Sequence, residues 1–244
     1  ALSSAASDVY KRQQQMERVQ TENGYMYYAY SASMAEKGRN CVYVFEASSN
    51  RQQPLTVIEN VAPAQATLQG VIAHGERLAV LARGENCTYL RIYSIAEPTK
   101  PVLLSAIEQS GACVQAGLVG ENVYVLSHFV FDPKAEQSVP ALTVNGEIHR
   151  ALPEHIVRLA GANQAQYTVL GTVNVQTGKA AEDVAAVLGG GPKVQLTKKA
   201  AYVGASGDAD RTAYGVKWNL KSQKCAKITR REACLLYTSP SPRD

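Results

Sequence analysis

Residues 88–126 decide the fold. They run Thr88-Tyr-Leu-Arg-Ile-Tyr-Ser-Ile-Ala-Glu-Pro98-Thr-Lys-Pro101-Val-Leu-Leu-Ser-Ala-Ile107 and, further on, Gly120-Glu-Asn-Val-Tyr-Val-Leu126. β-Branched and aromatic residues crowd the runs, while Pro, Gly and Asn punctuate them, so the stretch reads as strand, Pro-marked turn, strand, polar turn, strand. Versions of it recur on both sides. Strands that follow a polar turn centre on Tyr27, Leu78, Tyr124 and Tyr202, the returning strands on Val42, Leu90, Val169 and Val216, and the next turns carry Pro54, Pro101, Gly178 and Ser222. Successive landmarks lie about 45 to 51 residues apart, except for one interval of 78 to 79 that both strand series share. The shared outlier places a single insertion at about residues 127–166 and leaves the period intact around it.

A period of that length holding four short strands marks a β-propeller blade. A four-stranded antiparallel sheet has two faces and cannot bury both alone, so neighbouring sheets must stack. Strands such as Val123-Tyr-Val-Leu126 and Val42-Tyr-Val-Phe45 are accordingly apolar or aromatic at both parities. The expectation is an all-β chain, a partial β-propeller of about four blades of antiparallel strands. Only residues 180–188 hint at helical periodicity, where the other units have a strand. Residues 14–20 are polar and read as the end of a linker.

The two ends stand apart. Residues 3–13 and 234–244 are similar to translated sequencing-library adapters, so 1–13 and 234–244 are set aside, and the propeller is expected over residues 14–233 of a chain truncated at both ends.

The composition is that of a globular chain, 45% hydrophobic with a formal charge of +4, and no basic cluster interleaves with aromatics, which argues against a nucleic-acid partner. No run of apolar residues is long enough for a transmembrane helix. Cys41, Cys87, Cys113 and Cys225 form no CxxC pair, and the sequence leaves open whether Cys87 and Cys113 bridge.

At residues 89–104, Tyr-Leu-Arg-Ile-Tyr-Ser-Ile-Ala-Glu-Pro-Thr-Lys-Pro-Val-Leu-Leu, and again at Gly120-Glu-Asn-Val-Tyr-Val-Leu126, Tyr167-Thr-Val-Leu-Gly-Thr-Val-Asn-Val175, Leu188-Gly-Gly-Gly191 and Lys199-Ala-Ala-Tyr-Val203, the chain resembles a family of prokaryotic secreted or membrane-anchored proteins. The β-propeller domain of that family is distantly related to WD40 repeats. Ala96-Glu97-Pro98 stands where the family carries Ser-Asp-Pro. The resemblance implies an extracytoplasmic setting and brings no catalytic residues and no cofactor.

Candidate chemistry is sparse. Asp208 and Asp210 place two carboxylates on one hairpin loop, but without the spaced acidic series of a calcium loop. His149 and His155 fall in the insertion at a spacing unlike zinc ligation, and His128 precedes it. Ser110 and Ser127-His128 supply hydroxyls and an imidazole without a Gly-x-Ser-x-Gly elbow, and Gly189-Gly-Gly-Pro192 lacks the Gly-Lys-Ser/Thr ending of a phosphate loop. The functional expectation is a non-catalytic binding or scaffolding module that contacts a protein or polysaccharide through its loops and the insertion, the latter extending over one mouth of the ring. The alternative is a hydrolase or lyase with its site at the axial mouth, for which His128, His149, His155 and Asp208 would have to converge.

Overall fold

The computed structural model describes residues 14–31, 39–49, 53–135, 138–159, 164–181, 184–205, 215–222 and 224–227. The end segments 1–13 and 234–244, and the loop bearing Asp208 and Asp210, lie outside them. Among the described residues twenty strands form four sheets stacked in chain order, antiparallel but for one pair at the rim. Blade 1 comprises β2 (Val19–Glu22), β3 (Tyr25–Ser31), β4 (Asn40–Glu46) and β5 (Thr56–Ile58). Blade 2 follows with β6 (Thr67–His74), β7 (Arg77–Arg83), β8 (Cys87–Ser94) and β9 (Val102–Ser110). Blade 3 holds β10 (Ala112–Val119), β11 (Asn122–Val130), β15 (Gln166–Asn174) and β16 (Ala185–Leu188). Blade 4 holds β17 (Gly190–Leu196), β18 (Ala200–Ala205), β19 (Gly215–Asn219) and β20 (Cys225–Lys227).

The 14–20 segment is not a linker. β1 (Gln14–Gln15) pairs with the free edge of β10, and two residues later Glu17 bridges to Val71 on the free edge of β6. One short segment therefore touches the first strands of two blades, so those strands converge on the axis and the later strands fan outward. Backbone hydrogen bonding draws polar residues into strands here without any apolar alternation, because an edge satisfies N–H and C=O groups whatever the side chain.

Stacking produces three cores. Tyr27, Ala29, Val42 and Val44 of blade 1 meet Leu78, Val80 and Ala82 of blade 2. Ala79, Leu81, Leu90 and Ile92 of blade 2 meet Val123, Val125 and Val169 of blade 3. Tyr124, Leu126 and Leu170 of blade 3 meet Ala201, Val203, Val216 and Trp218 of blade 4. Adjacent residues of one strand thus serve different interfaces, as a two-residue period on a sheet covered on both sides requires.

A buried polar latch repeats at each junction. Asn40, at the start of β4, donates through Nδ2 to the carbonyls of Pro63 (2.7 Å) and Ala66 (2.8 Å), just before β6. Thr88, near the start of β8, donates through Oγ1 to the carbonyl of Gly111 (2.7 Å), and Thr168, near the start of β15, to that of Gly191 (2.8 Å). In every case the third strand of one blade closes a hydrogen bond on the entry to the next. Gly111 is needed for a second reason: its φ is +91° and a Cβ there would sit 2.6 Å from the carbonyl oxygen of His128.

The insertion corrects the expectation of an axial lid. β11 and β15 pair along their full length, from Asn122↔Asn174 to Val130↔Gln166, so the extra chain is the loop of one long hairpin. Within it, β12 (Ala141–Val144) and β13 (Glu147–Arg150), joined by an Asn145-Gly146 turn with both φ positive, add to β9, the outermost strand of blade 2. A 3-10 turn at Pro153–His155 leads into β14 (Ile156–Arg158), which pairs in parallel with β16, the outermost strand of blade 3. The excursion therefore broadens the rims of two blades. Leu142 and Ala151 are buried in the core between blades 2 and 3, which is why the hairpin packs back onto the sheets.

Candidate functional site

Among the described residues, the three histidines singled out for chemistry lie on separate elements. His128 lies on β11, with its Nε2 3.1 Å from Oε1 of Gln166. His149 sits on β13, the rim strand of the blade 2 sheet, opposite Leu142. His155 belongs to the 3-10 turn and lines the groove between blades 3 and 4.

Ser127 and His128 are consecutive on one strand, so their side chains leave opposite faces. The Ser127 hydroxyl donates to the carbonyl of Ser110 (2.6 Å) and accepts from Gln109 Nε2 (2.7 Å). Gln109 also donates toward the carbonyl of Val125 (3.2 Å) and is covered by blade 3. This is a closed polar network between blades 2 and 3: the serine proton is committed to a backbone carbonyl and no imidazole reaches it.

The thiols are set by burial. All four described cysteines are free, so Cys87 and Cys113 form no bridge; their strands pair with Ser110 and Ser127 instead. Desolvation pushes the Cys113 thiol up to about 12 and that of Cys225 up to about 11, and it raises Cys41 and Cys87 as well. Thiols held protonated in this way are poor nucleophiles and poor metal ligands at neutral pH. Among the described residues no group of three His, Cys, Asp or Glu side chains is placed to hold a metal ion.

Polar side chains from several elements do converge between blades 3 and 4. A cleft of about 550 Å³ opens there, floored by Tyr124 and lined by Asn122, Thr172, Lys179, Lys198 and Lys221. The lysines come from three different turns, each closed by a side chain that accepts backbone N–H groups. Asn174 Oδ1 accepts from Gln176 (3.0 Å) and Thr177 (2.9 Å), which shapes the turn leading to Lys179. Asn219 Oδ1 accepts from Lys221 and Ser222, both at 3.0 Å. Thr197 Oγ1 accepts from Ala200 N (3.1 Å) and donates to its carbonyl (2.8 Å), which closes the hairpin bearing Lys198. Such side-chain turns hold their backbone without help from a regular strand. A second hollow of about 180 Å³ continues the groove toward the rim, with Glu154, His155, Trp218 and Cys225 in its wall and Tyr124, Thr172 and Leu220 shared with the first. Sequence reasoning missed the lysines, because no fixed spacing links positions 179, 198 and 221; only their places at turn tips relate them.

The far face of blade 1 is the other notable surface. Tyr28, Tyr30, Tyr43 and Phe45 form a half-buried ladder, with Tyr43 ring-to-ring at 6.3 Å from Tyr28, 5.9 Å from Tyr30 and 6.4 Å from Phe45.

Four antiparallel sheets whose first strands converge on one axis, each stacked face to face on the next, define a β-propeller. The sequence profile of the Beta propeller domain family matches residues 9–232, and the chain belongs to that family. Among solved structures it is similar to an acylaminoacyl peptidase bound to Z-Gly-Gly-Phe-chloromethyl ketone, at 8% identity and a TM-score of 0.50, over 91% of this chain and 33% of that one. It is also similar to the acylaminoacyl peptidase of Pyrococcus horikoshii in its orthorhombic crystal form, at 9% identity and a TM-score of 0.48, with the same coverage. The chain thus spans about a third of the length of the solved chains it matches, and at 8% identity the first likeness speaks for the fold alone. A comparison with curated proteins finds no match.

Proposed function

We propose that this propeller is a binding or scaffolding module without chemistry of its own, extracytoplasmic as the family resemblance implies, and that it contacts a protein or polymer through the groove between blades 3 and 4 and the rim built by the insertion. One observation carries the reading: His128, His149 and His155 lie on separate elements, whereas side chains of three turns converge on a single cleft. Pre-shaped concave surfaces with a few convergent polar groups are where ligands bind, and the Asn and Thr turns give the cleft that shape before any ligand arrives.

The test compares binding with turnover. The purified chain, incubated with chromogenic ester, peptide and glycoside substrates, is expected to show no activity that the H128A/H149A/H155A variant lacks. An amide-NMR titration with cell-envelope extracts is expected to perturb residues of the groove. Turnover abolished by the triple variant would overturn the proposal in favour of a hydrolase or lyase.

A further inference from the structure

From the hydrogen-bonding inventory of the cleft we infer that it takes an acidic protein segment, a run of Asp or Glu carboxylates carried by a partner. The inference rests on the binding reading above and specifies its ligand. The cleft offers Lys179, Lys198 and Lys221 and the amides of Asn122 and Asn174, and among the described residues no carboxylate lines it. The Oδ1 of Asn174 is already occupied by Gln176 and Thr177, which leaves its Nδ2 as a donor. Lysine carries three donors and no acceptor. Among the described side chains donors therefore outnumber acceptors, which are the Asn122 Oδ1 and the hydroxyls of Tyr124 and Thr172.

A neutral glycan hydroxyl both donates and accepts, and finds few acceptors here. An ionised carboxylate only accepts, so it matches the supply. Among the described residues neither Lys179 nor Lys221 forms an ion pair. The three ammonium groups are point charges on flexible stems and impose no bidentate geometry, which fits a run of carboxylates on a mobile chain better than one fixed planar anion. The remaining wall, Tyr124 with Val119, Ala180 and Leu220, gives apolar footing for the methylenes of Glu side chains.

Poly-L-glutamate is the probe, followed by fluorescence anisotropy of the labelled polymer at low and at physiological salt, with circular dichroism as the check on folding. The wild-type chain is expected to bind, more weakly as salt rises. Lys179→Gln, Lys198→Gln and Lys221→Gln together are expected to weaken binding about tenfold, the loss expected from three exposed charge pairs. The Lys→Arg triple should stay within about threefold of wild type, since three exposed cations are retained. Lys134→Gln, a lysine of the insertion, should leave binding unchanged.

Undiminished binding in the Gln triple would overturn the site. Equal or stronger binding of polygalacturonate, sensitive to the same triple, would overturn the acidic protein in favour of an acidic glycan. Failure of the wild type to bind poly-L-glutamate at low salt would overturn this inference alone: perturbation of groove amides by another ligand would leave the broader binding reading standing.

Discussion

Blade 1 shows two faces made from the same strands and treated in opposite ways. Tyr27, Val42 and Val44 point toward blade 2 and are at most 1% exposed. Their chain neighbours Tyr28, Tyr43 and Phe45 point away and are half-buried, shielded mainly by one another. Strand registers identify the counterparts of the outward pair in the other blades: Tyr28 faces Tyr43 as Val80 faces Arg91, Val125 faces Gly171 and Val203 faces Val216. In blades 2 to 4 those positions look back at the preceding blade, and Val80, Val125, Val203 and Val216 are buried. Identical backbone geometry is thus used for a covered interface three times and for an open aromatic ladder once, so burial rather than strand geometry decides which substitutions each face tolerates.

The largest predicted effect contrasts neighbours in the chain. Val44→Asp places a carboxylate in the core shared with blade 2 and is expected to cost about 3 kcal/mol or more, through desolvation without a partner. Phe45→Asp, one residue on and on the other face, should cost no more than about 1 kcal/mol, because the carboxylate stays hydrated. Urea denaturation followed by tryptophan fluorescence measures both. Equal losses would break the comparison.

Next comes the alkaline behaviour of a covered interface. The Cys113 thiol is raised to about 12 by burial between blades 2 and 3, so below pH 9 the folded and unfolded chains both hold its proton and its full contribution to stability is present. Between pH 9 and 12 the unfolded chain releases the proton and the folded chain keeps it, so stability falls as pH rises, by at most about 4 kcal/mol. Tyr27, raised to about 12 chiefly by burial, with Tyr25 and Glu22 adding to it, acts with the same sign from pH 10 upward. Cys113→Ala should flatten the pH dependence of the urea midpoint between 9 and 11.

The latches give a third, smaller effect. Asn40→Ala removes donors to two carbonyls, leaving the buried Ala66 carbonyl without that donor and the Pro63 carbonyl with only the Ala66 amide at 3.0 Å, which costs about 2 kcal/mol. Thr88→Val and Thr168→Val each lose one bond and keep their volume, for about 1 kcal/mol apiece. Thermal unfolding of the three variants tests the order. A Thr→Val cost above that of Asn40→Ala would remove the proposed equivalence.

Much of the fold was legible because a covered sheet leaves a period of strands and turns that side chains cannot hide. The blades and their order follow from the spacing of the Tyr27, Tyr124 and Tyr202 strands, and so does the single insertion. Register was not legible. Tyr27 pairs with Val44, Tyr124 with Thr172 and Tyr202 with Lys217, so the counterpart of Tyr27 in blade 2 is Ala79, paired with Ile92, and not Leu78. Val169 and Val216 slip by one in the same way. A one-residue slip exchanges the two faces, and alternation exposes it only when one face is polar. Here both parities are apolar, and a small inward residue such as Ala79 is overshadowed by its larger neighbour. The destination of the insertion and the lysine cleft depend on which strand edges and turn tips come together in space, which no local pattern carries.

The smallest effect sharpens the opening contrast by transplantation. Arg91 is the blade 2 counterpart of Tyr43; it lies over the Tyr89 ring, donates to the carbonyl of Ile107 at 3.1 Å and sits 3.6 Å from Glu108. A long cation is thus accommodated at this position even beneath a neighbouring blade, because its stem covers apolar surface while its head finds acceptors. Tyr43→Arg gives up three ring contacts, each worth under about 1 kcal/mol on a partly solvated face, and recovers part of that by stacking on Tyr28 or Phe45. The net change in the urea midpoint should correspond to less than about 1 kcal/mol. A loss of several kcal/mol would mean that the outward face is covered in solution after all, and the two faces of blade 1 would then be one kind of surface.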